Sequence, residues 1–161
     1  MTLYTVTPSP IGDLLLTMED DALTRLHMEP HAIDPTWRRD DPAFRKVTDQ
    51  LAAYFAGDLR DFDVPLAPRG TPFQLRVWEA LREIPYGHTW SYGALATCVG
   101  NPNASRAVGL ANGRNPIAVI VPCHRVIGST GKLVGYGGGM ERKKTLLDLE
   151  ARGREGGQLT L

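Results

Sequence analysis

Cysteine is scarce in this chain: among 161 residues there are only Cys98 and Cys123. Two thiols cannot build a disulfide framework, so a reducing, cytoplasmic setting is expected. Nor do they stand at zinc-site spacing with His27, His31, His88 or His124: no CxxC pattern occurs, and the single HxxxH pair, His27 and His31, has both cysteines far away in the sequence. No metal and no cofactor are expected. Apolar runs stay far below the length of a membrane span. The opening "MTLYTVTPSP" has no basic stretch leading into an apolar one, so no secretion signal is expected. Internal repeats and low-complexity segments are missing too. The glycines of "GYGGG" (Gly135–Gly139) fit neither a P-loop nor a dinucleotide-binding turn.

One further absence is local. Net charge is zero, yet residues 1–70 hold 7 Lys/Arg against 12 Asp/Glu, while residues 71–161 hold 11 against 6. Between Glu83 and Glu141 there is no carboxylate at all, and Arg106, Arg114, Arg125 and Lys132 fall inside that gap. Such a stretch suggests a surface that meets an anion, although chance in a Gly/Ala-rich segment gives the same pattern.

What is present reads as two parts. "LYTVT" (Leu3–Thr7), "DLLLTM" (Asp13–Met18) and "ALTRLHM" (Ala22–Met28) alternate like strands and are separated by turn residues, which predicts an antiparallel meander. "DPAFRKVTDQLAAYFAG" predicts a helix against that sheet, with Asp41 as N-cap, Pro42 in its first turn and Gly57 as its stop. The irregular "DLRDFDVPLAPRG" puts the boundary near Gly70. The expected organisation is therefore residues 1–70 as a sheet-and-helix domain, 71–150 as a mainly helical domain, and 151–161 as a flexible tail.

In the second part, Thr71 and Pro72 open one helix. "SYGALATCVG" and "ASRAVGLANG" are two short helices around the turn "NPN", the helix-turn-helix pattern. Small residues surround Arg106, among them Ala104, Ser105 and Ala107. A helix with so little bulk packs closely against another helix or enters a nucleic-acid groove. "IAVIV" (Ile117–Val121) reads as a buried strand, and "ERKKTLLDLE" as a final helix.

Cys123 follows that apolar run in "PCHR". Thiolate is the attacking form of a thiol, and His124 and Arg125 are neighbours able to lower its pKa. Pro122 would fix the chain's exit from the strand. A Cys-His pair also fits a filler thiol at the edge of a core. Cys98 lies mid-helix without a basic neighbour and is expected to pack in the core.

The combination "NPIAVIVPCHRVIG", "SYGALA…GNPNASRAVGLANG" and "GYGGG" closely resembles the O6-alkylguanine-DNA alkyltransferases, densely from about Thr71 to Glu150. That resemblance implies an α/β (α+β) protein. A ribonuclease H-like N-terminal sheet with a helix would precede a helical domain carrying the helix-turn-helix. It implies repair of O6-alkylguanine, and of O4-alkylthymine, by irreversible single-turnover transfer of the alkyl group to Cys123. His124 would act as base through a bridging water, with Glu150 orienting it. Tyr92 would assist nucleotide rotation and donate a proton to the leaving guanine. Asn115 would brace the turn before the active-site segment. Tyr136, Val126 and Gly137 would line the guanine pocket, with Ala118 where some relatives have proline. Arg106, flanked by Ala104, Ser105 and Ala107, would fill the gap left by the flipped base from the minor groove. The implied partner is double-stranded DNA carrying alkylated guanine, with no membrane; the protein would be a monomer able to bind DNA cooperatively. The zinc site of some relatives is absent, because no cysteine precedes Cys98. A non-catalytic module that recognises alkylated DNA, and more remotely a thiol hydrolase, are the rival readings.

Overall fold

Alternation in the first 28 residues folds into a sheet, seen in a computed structural model that describes residues 1–128 and 139–156. Strands β1 (Leu3–Thr7), β2 (Leu14–Glu19) and β3 (Ala22–His27) form the expected antiparallel meander, with Leu3 opposite Met18 and Leu16 opposite Leu26. Asp20 and Asp21 both take positive φ, 51° and 64°, as a two-residue hairpin turn requires. Leu14, Leu15 and Leu16 are all buried, so the central strand is covered on both faces.

Two features differ from the expectation of a purely antiparallel sheet and a helix capped by Asp41. A fourth strand, β4 (Arg38–Arg39), pairs parallel to β1, giving a mixed sheet of order β3-β2-β1-β4. Two residues are too short to show any hydrophobic period. Helix α1 (Arg45–Phe55) is preceded by a 3-10 turn, Asp41–Phe44, and the cap is Asp40, whose side chain accepts from Ala43 N. Asp41 instead accepts from Thr5 and Arg39. Phe44, Val47, Leu51 and Tyr54 face the core.

The second part follows its local signals closely. Helix α2 (Pro72–Leu81) opens on a reciprocal capping box between Thr71 and Gln74. A short strand β5 (Trp90–Ser91) leads into α3 (Tyr92–Val99), capped by Ser91 and ended by Gly100 at φ 99°. Helix α4 (Ser105–Gly113) completes the helix-turn-helix, and Trp78 Nε1 donates to Ala111 O at 2.9 Å to lock α4 against α2. Strand β6 (Val126–Ile127) pairs parallel with β5. The final helix α5 (Met140–Gly156) continues past Glu150 into the segment expected to be a tail. Among the described residues, no helix is long and apolar enough to cross a membrane.

"IAVIV" is buried but is not a strand. Ile117 makes a single bridge to Leu26, and the chain then turns twice. Ile120 N donates to Ala118 O at 2.8 Å around Val119, which has φ 70°. Cys123 N donates to Val121 O at 2.8 Å around Pro122, at φ −83° and ψ 63°. Both are three-residue γ-turns, the first of the strained hand and the second of the common one. Apolar composition buried this segment, while its hydrogen bonds went to turns and to Asn115. Cys98 also departs from expectation: it is exposed, with Sγ 3.5 Å from Glu83 on the outer side of α3.

The free edge of β3 is covered by backbone from further along the chain. Leu23 exchanges bonds with Pro65 O and Ala67 N, and Leu26 with Pro116 O and Ala118 N, all between 2.8 and 3.1 Å. This blunts an edge strand and fastens the sheet to the helical part.

Helix α5 passes so close to Tyr86 that a Cβ on Gly153 would lie 2.3 Å from the phenol oxygen. Gly153→Ala should therefore destabilise the protein by about 1–3 kcal/mol through overpacking, despite alanine's helix preference of about 1 kcal/mol. Denaturant unfolding checks this; an equal or higher midpoint would mean that Tyr86 moves aside without cost.

Candidate active site

Pro122 fixes its own φ and delivers Cys123 at the start of a 3-10 turn, Cys123–Arg125. Asn115 holds the turn in place: its Nδ2 donates to Val121 O at 2.7 Å and Ile117 O at 3.3 Å, and its Oδ1 accepts from Ile117 N at 3.0 Å. Asn112, buried on α4, donates to Cys123 O at 3.4 Å. The nucleophile candidate is thus suspended between the two parts of the helix-turn-helix exit. It opens on a cleft lined by Asn115, Ala118, Asn112 and the end of β3 from Leu26 onward.

The thiol is 5% exposed, and burial pushes its pKa up. A hydrogen bond from Asn115 and the charge of Lys143 oppose that without reversing it. This corrects the expectation that His124 and Arg125 tune the thiol directly. The guanidinium of Arg125 faces the other way, with Nε and Nη2 on the Glu150 carboxylate at 2.7 and 3.0 Å and Nη1 on Ile84 O at 2.7 Å. Cys123 accordingly rests as a thiol that needs a base.

A candidate for that base is next in the chain. His124 is fully buried, and its Nε2 lies 2.7 Å from Glu150 Oε2. Burial on its own would raise the Glu150 pKa, but His124 and Arg125 together hold it down at about 2. For His124 burial is the largest effect and lowers the pKa, while Glu150 pulls it back up. Near neutral pH the pair is then an anionic carboxylate and a neutral imidazole. Nε2 carries the proton, donated to Glu150, and Nδ1 has the free lone pair. Nδ1 is buried and has no hydrogen-bond partner among the described residues. A buried acceptor without a partner, one residue on from a thiol, is a group able to take a proton.

Tyr92 opens α3 half-buried, with its ring against Gly109 of α4, and burial together with the proximity of Cys123 raises its pKa. It therefore stays a hydroxyl able to donate. Val126 is buried, and its carbonyl accepts from Lys143 Nζ at 2.6 Å. On α4, Arg106 and Ala107 are exposed while Ala104 and Ser105 are half-buried; Val108, Ala111 and Asn112 face inward. Tyr136 and Gly137, expected in the guanine pocket, lie outside the described residues. No group of three or more potential metal-ligating side chains occurs among the described residues.

Two buried neighbours of the site escaped sequence reasoning. Lys143 reads as part of the polar "ERKK", yet it shares a helical face with Leu146 and Glu150, and that spacing was the available signal. Tyr54 donates to Glu150 Oε2 from α1, 96 residues away in sequence, and nothing local announces it.

The carboxylate network sets an acid limit on stability. Glu150 is far more acidic folded than unfolded, so its contribution is complete above about pH 4.5 and disappears as pH falls toward about 2. His124 must also charge on unfolding in acid, which acts in the same direction. Glu150→Gln should cost about 3–5 kcal/mol at pH 7, because it leaves Arg125 buried without its anion, and the difference from the parent should shrink below pH 4. Urea titrations at pH 7 and pH 3 measure both; a constant difference would mean that the carboxylate charge is not what holds the network.

Both halves of the chain match known proteins. Residues 72–152 match the family described as 6-O-methylguanine DNA methyltransferase, DNA binding domain, and residues 2–68 match its ribonuclease-like domain. A methylated-DNA–protein-cysteine methyltransferase of Mycobacterium tuberculosis is 56% identical over 98% of this chain and 97% of its own. One from Methanosarcina acetivorans is 52% identical over 91% and 97%. The crystal structure of the Mycobacterium tuberculosis O6-methylguanine methyltransferase superposes with a TM-score of 0.88, at 56% identity and 94% coverage of both chains. That of Mycobacterium tuberculosis OGT in complex with DNA gives 0.90, again at 56% identity and 94% of both. With both halves matched and relatives this similar along nearly the whole length, the chain belongs to the 6-O-methylguanine DNA methyltransferase family.

Proposed function

We propose that this protein repairs DNA by transferring an alkyl group from O6-alkylguanine in a duplex to Cys123, once per molecule. The observation that carries the reading is a buried thiol followed in the chain by a buried histidine that is fixed by an anion, in a turn tied to the helix-turn-helix. In this reading residues 71–150 bind DNA and carry the chemistry, while residues 1–70 support them. It places the protein in a reducing compartment, where the thiol stays available.

The proton of Cys123 passes through one water to His124 Nδ1, and Glu150 stabilises the imidazolium as it forms. The thiolate attacks the alkyl carbon, forming the S–C bond as the C–O6 bond breaks and its electron pair passes to guanine. Tyr92 donates a proton to the base so that guanine leaves neutral. A base stacked in duplex DNA cannot reach a thiol in a cleft, so the nucleotide is turned out of the helix. Arg106, exposed on α4 beside Ala107 and Leu110, fills the vacated space from the minor groove. Val126, Ala118, Tyr136 and Gly137 line the guanine pocket. O4-alkylthymine presents a similar exocyclic alkyl oxygen and is a second substrate. The protein acts as a monomer.

A thioether offers no leaving group, and the other cysteine, Cys98, is exposed on α3 next to Glu83, so nothing regenerates the thiol. Incubation with excess duplex carrying one O6-methylguanine should add one methyl mass to the intact protein, located on Cys123, and then stop. Cys123→Ser should add none while still binding the duplex. Continued turnover, or transfer in the serine variant, would refute the reading; binding without transfer in the parent would instead favour a recognition module.

Arg106→Ala should slow repair of duplex DNA by about tenfold or more while leaving reaction with free O6-alkylguanine base within about twofold, because only the duplex has a gap to fill. Equal losses on both substrates would place Arg106 in the pocket instead.

A further inference from the structure

Glu150 is reached by a hydroxyl from the other half of the molecule. Tyr54, fully buried on α1, donates to Glu150 Oε2, the same oxygen that accepts from His124 Nε2 at 2.7 Å and Arg125 Nη2 at 3.0 Å. We propose that Tyr54 is a positioning residue for alkyl transfer: its hydroxyl orients the Glu150 carboxylate and restrains the basicity of His124. The proposal rests on the transfer reading above.

A carboxylate oxygen has two in-plane lone pairs. Three donors on Oε2 therefore share its charge, and each is held less strongly than it would be alone. Removing Tyr54's hydroxyl leaves Oε2 a stronger acceptor toward His124, which then keeps a proton to higher pH. The fraction of His124 available as base falls on the acid side and is unchanged where the imidazole is already neutral. The ring has a separate, structural role. It meets Phe55 edge-on at 5.1 Å, Phe62 at 5.3 Å and Tyr86 edge-on at 6.3 Å, contacts that phenylalanine would keep. The other groups facing this pair are Arg125 and Lys143, the thiol of Cys123, and Tyr86, which Arg60 and Arg125 flank at 5.2 and 5.7 Å. All of them remain in Tyr54→Phe, so a shift in pH dependence reports the hydroxyl.

The test uses the full chain. Single-turnover transfer from duplex O6-methylguanine is followed by intact mass from pH 5 to 9, and the His124 ring is titrated by nitrogen NMR. Tyr54→Phe should reach the same one-methyl endpoint. It should react roughly three- to tenfold more slowly on the acid limb and within about twofold of the parent on the plateau, with the His124 titration moved upward. Phe62→Leu, which disturbs the same aromatic cluster without touching Glu150, should lower stability and leave both profiles in place. If Tyr54→Phe does not fold, a ring-fluorinated tyrosine at position 54, similar in shape and a stronger donor, should move both profiles downward. Unmoved profiles in the folded Tyr54→Phe or fluorotyrosine protein, or a shift equalled by Phe62→Leu, would overturn the proposal. A parent protein that takes up no methyl mass would overturn the transfer reading instead, and the NMR titration would still decide whether Tyr54 governs His124.

Discussion

The ion pair between Arg125 and Glu150 is the constraint around which the rest is arranged. Both groups are buried, and removing two charges from water costs several kcal/mol each unless every donor and acceptor is satisfied. The fold meets that condition. Two guanidinium nitrogens grip the carboxylate, a third reaches Ile84 O, and His124 and Tyr54 complete the shell of the anion. Arg125 is permanently charged, so Glu150 stays an anion, and a fixed anion selects the tautomer of His124. Cys123 is linked to this pair through the chain and not by a direct hydrogen bond among the described residues.

The same arrangement explains why adjacent residues do different work. Cys123, His124 and Arg125 lie in one 3-10 turn, and the tight turn directs successive side chains apart. Cys123 faces the cleft, while His124 and Arg125 meet Glu150 from their own positions. The γ-turns around Val119 and Pro122 bring the chain into that turn. A β-branched residue at φ 70° is strained by about 1–3 kcal/mol. Asn115 spans the strained segment with three hydrogen bonds and keeps it from relaxing.

Local chemistry was legible in the sequence; pairings over distance were not. The helix openings at Thr71 and Ser91 and the helix end at Gly100 each depend on a few neighbouring residues and stood where they were read. The run Ile117–Val121 announced burial correctly but not conformation, because apolar composition does not say where backbone hydrogen bonds go. Strand β4 was invisible for its shortness. Within the site, Cys123 stood out from its immediate neighbours, whereas His124 as a base and Glu150 as its partner came only through the family resemblance. Cys98 was misjudged because a helix of small residues has no strong apolar side to mark what is outside.

Edge pairing along β3 has a consequence for the chain's continuity. Leu23 and Leu26 each bond to backbone from beyond the sheet, Tyr54 crosses to Glu150, and Arg60 Nη2 donates to Gly153 O at 2.9 Å. The exposed stretch Arg69–Thr71 is the covalent link between the halves. A protein nicked there would remain one particle, and two separately produced fragments would find each other through surfaces already complementary.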